Sequence, residues 1–215
     1  MTKRDRLLAL FKAARVVPVL TIDRVKDAVP LARALVKGGV RTLEVTLRTP
    51  AAVDAAKAII AEVTDAIVGI GTILNADDLA RAEALGAKFG ISPGATPELL
   101  KAAAASTLPF APGIATASEL MAALAHGFDV MKFFPAEPSG GITALRALAG
   151  PFPHAKFCPT GGIGEANAAT WLSEPNVIAV GGSWLCPPAE IKSGNWSGIT
   201  AICERSMKSL KLDAR

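Results

Sequence analysis

The sequence predicts a (β/α)8 barrel, a single domain over residues 1–215 with one additional helix at the N-terminus. Three observations lead there. Apolar, β-branched stretches recur eight times at a mean spacing of about 23 residues, the length of one strand, one helix and two short turns. Ala-rich segments with helix start and stop signals lie between them. No linker or low-complexity tract divides the chain. Eight evenly spaced units without a break favour closure over a doubly wound open sheet.

The first fifteen residues, MTKRDRLLALFKAAR, carry charges at both ends of a very short apolar run. They predict an amphipathic helix, not a signal peptide. The first four strands are VVPVLTI from Val16, RTLEVTL from Arg41, AIVGIGTI from Ala66 and AKFGIS from Ala87. The second four are PFAPGIA from Pro109, DVMKFFP from Asp129, KFCPTGG from Lys156 and VIAVGGS from Val177. Thr49-Pro50 and Thr96-Pro97 predict an N-cap followed by proline in the first helical position, where its missing N–H costs nothing. Thr116 with Glu119 has the spacing of a capping box, and Asn75 with Asp78 offers a similar start. Gly38-Gly39, Gly86 and Gly127 fall where helices should end in a left-handed residue. Pro30 fits only a first turn, so that helix is expected to start near Asp27.

Composition narrows the chemistry. There is no Tyr, and His126 and His154 are the two histidines, so a phenolic acid is excluded and a multi-His metal site nearly so. Proton transfer falls to Asp, Glu, Lys or Cys. The formal charge of +4 is mild and spread along the chain, without the basic stripe and interleaved aromatics of a nucleic-acid binder. Cys158, Cys186 and Cys203 are an odd set without CxxC spacing, so a reduced, cytoplasmic setting is expected. No window reads as a membrane span, since the uncharged run from Ala102 to Ser118 is broken by Pro109 and Pro112.

Strand alternation then sorts the polar residues. In the second strand Leu43, Val45 and Leu47 share one face, and Thr42, Glu44, Thr46 and Arg48 share the other. The apolar set must pack on helices, so Glu44 and Arg48 point into the barrel, where a lone charge is costly. A structural Glu44–Arg48 ion pair is one reading. In the sixth strand Lys132 is flanked by hydrophobes, with Val130 and Phe134 on its parity. It either snorkels or pairs with a carboxylate, or it is an amine that attacks a carbonyl to form a Schiff base. Glu44 and Lys132 both fall near the C-terminal ends of their strands, the face on which barrel active sites are built.

Thr160-Gly161-Gly162 ends the seventh strand and Gly181-Gly182-Ser183 the eighth. Successive backbone N–H groups there can cradle an anion, although tight turns also need glycines. Thr72 and Ser92-Pro93 end strands at the same face and are candidates to wall a small polar substrate. Phe134 is either beside the reacting group or core. Cys158 reads as core, His126 as a helix cap or solvated residue, and His154 as a loop residue.

Taken together, LEVTLRT at 43–49, VGIGTIL at 68–74, ISPG at 91–94, MKFFPAE at 131–137, PTGGI at 159–163 and GGSW at 181–184 resemble the 2-keto-3-deoxy-6-phosphogluconate aldolase family of class I aldolases. The resemblance runs in order from about Arg15 to Trp184 and carries nothing onto Cys186 through Arg215. It implies a trimeric barrel that cleaves a phosphorylated 2-keto acid, and also 4-hydroxy-2-oxoglutarate, with no cofactor or metal. By resemblance Lys132 forms the imine and Glu44 is the general acid/base. Arg48, Thr72 and Pro93 surround the pyruvate portion, Phe134 lies beside the imine, and Thr160 belongs to the binding set. Gly161, Gly162, Gly182 and Ser183 hold the phosphate. The residues alone also leave open a phosphosugar isomerase or epimerase using Glu44 as base, and a non-catalytic phosphate-ligand sensor.

Overall fold

The computed structural model describes residues 1–210; positions 211–215 of the expected domain lie outside it. Helix α1 (Lys3–Ala14) opens with a reciprocal cap, in which Thr2 Oγ1 accepts from the Asp5 N–H and Asp5 accepts from the Thr2 N–H. Strand–helix units follow in strict alternation: β1 (Val16–Leu20), α2 (Val25–Lys37), β2 (Thr42–Thr46), α3 (Ala52–Glu62), β3 (Ile67–Gly71), α4 (Ala76–Ala84), β4 (Phe89–Ile91) and α5 (Pro97–Ala105). The fifth apolar stretch is split into β5 (Phe110–Ala111) and β6 (Gly113–Ile114) at Pro112, which has no N–H to give a ladder. Its carbonyl still accepts from the Lys132 N–H at 2.9 Å. Then come α6 (Ala117–Ala125), β7 (Val130–Phe133), α7 (Gly141–Ala149), β8 (Lys156–Pro159), α8 (Ala168–Leu172) and β9 (Val180–Gly182). The C-terminal region adds α9 (Pro188–Ser193) and α10 (Trp196–Ser209).

All strand pairs are parallel. They form two curled pieces, one in the order β5-β4-β3-β2-β1-β9 and one in the order β6-β7-β8. Single bridges, Phe157 to Val177 and Thr160 to Gly181, join β8 to the run that ends in β9. Regular pairing therefore stops at two seams, at Pro112 and between β8 and β9.

Burial follows the alternation read from the sequence. Leu43 and Val45 belong to the larger core cluster, shared with Leu31, Leu35 and Ile59 of the helices. Val17, Phe89, Ile91, Val130 and Cys158 form a second cluster with Leu7 and Phe11 of α1. Phe11 meets Phe89 edge to face at 5.5 Å between ring centres, and Arg4 pairs with Asp129 at 2.6 Å just before β7 begins. Helix α1 thus covers the N-terminal ends of the strands, and the C-terminal ends are left for the polar residues. Deleting a fully buried aromatic such as Phe11 would cost about 3–5 kcal/mol.

The caps at Asn75, Thr96 and Thr116 form as the spacing predicts. Gly39, Gly86 and Gly127 take positive φ after their helices. Two expectations fail. Thr49 does not cap α3, which starts at Ala52; its hydroxyl instead donates to the Ile22 carbonyl at 2.6 Å, tying the loop after β2 to the loop after β1. Helix α2 starts at Val25, before Asp27, so Pro30 sits inside the helix beyond the first turn. The carbonyl it leaves without a donor belongs to Lys26, which is exposed to water.

Candidate active site

Glu44 lies in β2 between Val19 of β1 and Gly69 of β3, and Lys132 lies in β7 between Gly113 of β6 and Cys158 of β8. The two strands are not neighbours in either sheet, yet Lys132 Nζ donates to Glu44 Oε1 at 3.2 Å. The side chains are 3% and 1% exposed, so this is a fully desolvated ion pair. Space for the carboxylate exists because residue 71 has no side chain: a Cβ there would collide with Glu44 Oε1. The Phe134 ring stands 5.0 Å from Lys132 Nζ and closes the apolar wall around the amine. Lys132 therefore pairs with a carboxylate and does not snorkel.

Arg48 does not pair with Glu44. Its Nε donates to Thr72 Oγ1 at 3.1 Å, and Thr72 presents that hydroxyl from a left-handed backbone at φ +61°. A β-branched residue in this region is held at a cost of about 1–3 kcal/mol, which the surrounding fold must supply. Pro93 is placed differently, with its carbonyl packed over Gly113, where a Cβ would collide with it. Ser92 is structural, accepting from the Gly113 N–H at 3.2 Å.

A cavity of about 640 Å³ is walled by Arg48, Phe134 and Thr160 and by both glycine pairs' loops, through Gly161, Gly162, Gly182 and Ser183. Lys132 and Glu44 do not line it, and it meets the ion pair through Phe134, whose ring centre is 5.0 Å from Lys132 Nζ. Thr72 reaches this cavity through Arg48, and Pro93 does not line it. Gly161 and Gly162 have φ of +102° and +77°, and Asn167 Nδ2 donates to the Gly162 carbonyl at 3.1 Å. Asn167 also donates to Glu137, which accepts from Trp171 Nε1 at 2.9 Å, so the loop after β8 is fixed from below. Cys158 is core, as its place in β8 predicts; burial, and next the Glu44 carboxylate, push its thiol up to about 12. His126 Nδ1 lies 2.9 Å from the Ala122 carbonyl as a helix cap.

The remaining lining escaped the sequence reading. Arg24 and Asp27 reach it from the loop after β1 and the first turn of α2, and Cys186, Ile191 and Lys192 from the C-terminal region. The available signal was position: Asp23 and Arg24 follow the C-terminal end of β1, on the face where Glu44 and Lys132 lie.

Residues 8–202 match the family model described as KDPG and KHG aldolase. The chain belongs to this aldolase family. A 2-dehydro-3-deoxy-phosphogluconate aldolase of Pseudoalteromonas atlantica is 52% identical over 209 residues, which is 96% of this chain and 97% of that one. Among solved structures, a KDPG aldolase from Legionella pneumophila, with pyruvate captured as a covalent carbinolamine intermediate, is 48% identical with a TM-score of 0.90, covering 93% of this chain and 97% of that one. A Zymomonas mobilis 2-keto-3-deoxy-6-phosphogluconate aldolase with 3-phosphoglycerate is 44% identical with a TM-score of 0.90, covering 95% and 96%. The Lys132–Glu44 pair and the glycine-walled cavity share Phe134, which lines the cavity and stands against the amine.

Proposed function

We propose that this aldolase cleaves 2-keto-3-deoxy-6-phosphogluconate to pyruvate and glyceraldehyde 3-phosphate through a Schiff base on Lys132, and accepts 4-hydroxy-2-oxoglutarate as a second substrate. The observation that carries this reading is the desolvated Lys132–Glu44 pair, joined through Phe134 to the glycine-walled cavity. The proton that Lys132 gives up passes to Glu44 at 3.2 Å, leaving a neutral amine. The amine adds to the C2 ketone; Glu44 returns its proton to the carbinolamine hydroxyl, which leaves as water, giving the protonated imine and a free carboxylate. Glu44 then takes the C4 hydroxyl proton, the C3–C4 bond breaks, and its electron pair moves into the imine. Glyceraldehyde 3-phosphate leaves as the aldehyde. The remaining enamine is protonated at C3 and hydrolysed, releasing pyruvate and the free amine. Proton transfer by a positioned carboxyl is worth about 10²–10⁴-fold.

Arg48 and Thr72 face the pyruvate end, Pro93 backs that wall, and Phe134 keeps water from the imine. Thr160 stands between the reacting centre and the cradle. The N–H groups around Gly161, Gly162, Gly182 and Ser183 take the phosphate. The covalent pyruvate carbinolamine of the Legionella relative and the 3-phosphoglycerate of the Zymomonas relative support a site that takes a 2-keto acid covalently and a phosphorylated carboxylate.

Residues 1–215 are one domain, and the two seams close into a (β/α)8 barrel, supported by the Pro112 carbonyl bond to Lys132 and the bridges between β8 and the β9 run. The protein works in the cytoplasm without nucleic-acid or membrane partners; among the described residues no helix is long and apolar enough to cross a membrane. It assembles as a homotrimer, for which the exposed Leu74 and Met121 offer apolar contact. Borohydride reduction in the presence of pyruvate tests the chemistry. The expected result is a mass increase located on Lys132 and lost in Lys132→Met along with pyruvate release; active parent protein without that adduct overturns the covalent mechanism.

A further inference from the structure

Two cations of the cavity have no part in the reading above. Arg24, at the N-terminal end of α2, donates through Nε to Asp27 Oδ2 at 2.6 Å, and Asp27 is buried with a side chain 9% exposed. A buried carboxylate without a partner is costly, so the pair fixes the guanidinium as much as it satisfies the acid. The hold is on Nε alone. Of the terminal nitrogens, Nη2 makes a long 3.5 Å contact to the Lys192 carbonyl, and Nη1 has no partner among the described residues. The open side of a planar donor fork thus borders the cavity that Gly162 and Ser183 wall, and Lys192 lines it as well. Two acids of the lining, Asp23 and Asp27, stand against these two cations, and Arg48 adds a third positive charge.

We propose that Arg24, oriented by Asp27 and assisted by Lys192, is a second anion arm of the cavity that selects phosphorylated over unphosphorylated 2-keto acids. This rests on the reading that the glycine loops take the substrate phosphate. Backbone N–H groups supply hydrogen bonds without net charge, and a phosphate monoester carries two negative charges over three terminal oxygens. A guanidinium gives those oxygens paired, charge-assisted donors, whereas 4-hydroxy-2-oxoglutarate carries no phosphate for them to meet. Arg24 is then a specificity-determining residue, set apart from the amine and carboxylate that perform the chemistry.

The test compares parent, Arg24→Gln, Arg24→Lys and Lys192→Ala by two readouts. The first is the ratio of kcat/KM for 2-keto-3-deoxy-6-phosphogluconate to that for 4-hydroxy-2-oxoglutarate. The second is the dissociation constant of inorganic phosphate, measured by titration calorimetry without turnover. Arg24→Gln should lower the ratio at least about tenfold, through KM more than kcat, and weaken phosphate binding by a similar factor. Lys192→Ala should move both in the same direction by less. Arg24→Lys, which keeps the charge on Asp27 and guards against a folding defect, should fall between parent and Arg24→Gln. A ratio and a phosphate affinity equal to the parent's in both Arg24 variants overturn the proposal. If the parent releases no pyruvate from either substrate, the aldolase reading falls, and phosphate affinity alone still decides the role of Arg24.

Discussion

The carboxylate of Glu44 fills the volume in which a side chain at Gly71 would begin. Residue 71 pairs with Thr46 in the ladder, two residues beyond Glu44, so the missing Cβ of one strand makes room for the acid of the next. A glycine that costs strand stability is tolerated here because it lets a charge stand against Lys132.

Gly71→Ala should therefore push Glu44 away from Lys132. We expect kcat for pyruvate release to fall at least about tenfold, and stability to fall by about 1–3 kcal/mol from overpacking. Steady-state kinetics with urea denaturation check both; a parental kcat would show that the carboxylate position is not critical.

Glu44→Gln keeps the shape and removes the proton acceptor. The expected loss in kcat is about 10²–10⁴-fold. Prolonged incubation with pyruvate and borohydride should still label Lys132, because the nucleophile remains in place. Mass spectrometry of the reduced protein separates the two effects, and unimpaired turnover would remove Glu44 from the mechanism.

Thr72→Val removes the acceptor of the 3.1 Å bond from Arg48 while keeping the branched shape. A bond of this kind contributes about 1 kcal/mol, so KM should rise by roughly fivefold. The rise should be equal for phosphorylated and unphosphorylated substrates, since both share the 2-keto acid end. A change confined to one of them would place Arg48 elsewhere.

The three cysteines give an alkaline signature. Burial is the largest cause in each case and pushes the thiols of Cys158, Cys186 and Cys203 up to about 12, from an ordinary value of 9.0. Each group binds its proton more tightly folded than unfolded. Its stabilising contribution is complete below pH 9 and is lost as pH rises from about 9 toward about 12. Denaturation midpoints should hold steady from this source up to pH 9 and then decline. At pH 8 a thiol reagent should label none of the three in folded protein and all three in guanidinium chloride; labelling of the folded protein would contradict the burial.

Much of this site was legible in the residues. Alternation placed Glu44 on the inner face of β2, and a lysine among hydrophobes marked β7, because each of these is a local conflict between charge and apolar surroundings. Helix caps at Thr96 and Thr116 were legible for the same reason: they depend on residues three apart. Thr49 misled, since its spacing to Pro50 suits a cap but its hydroxyl found a better acceptor at Ile22, a residue on another loop. Pro112 was visible as a break in an apolar run, and the resulting division of the fifth strand was not, because that depends on which neighbours offer donors. Arg24 and Lys192 carry no local conflict at all; charged residues in loops and short helices are ordinary until the cavity they border is known.

The sequence by itself determined the strand–helix alternation, the face of each strand on which polar residues stand, and membership of the aldolase family. These are properties of period, burial and motif, and they need no knowledge of which strands meet. The tertiary structure decided the pairings: that Glu44 meets Lys132 across 88 residues, that Arg48 turns to Thr72, and that Arg24, paired with Asp27, lines the same cavity as the glycine loops. The first of these is chosen by the curvature of the sheet, which brings side chains from non-adjacent strands within a few ångströms, and no linear pattern encodes that distance. Arg48 and Thr72 follow neighbouring strands and Arg24 and Asp27 stand three residues apart, so there the fold decides only what the paired groups face.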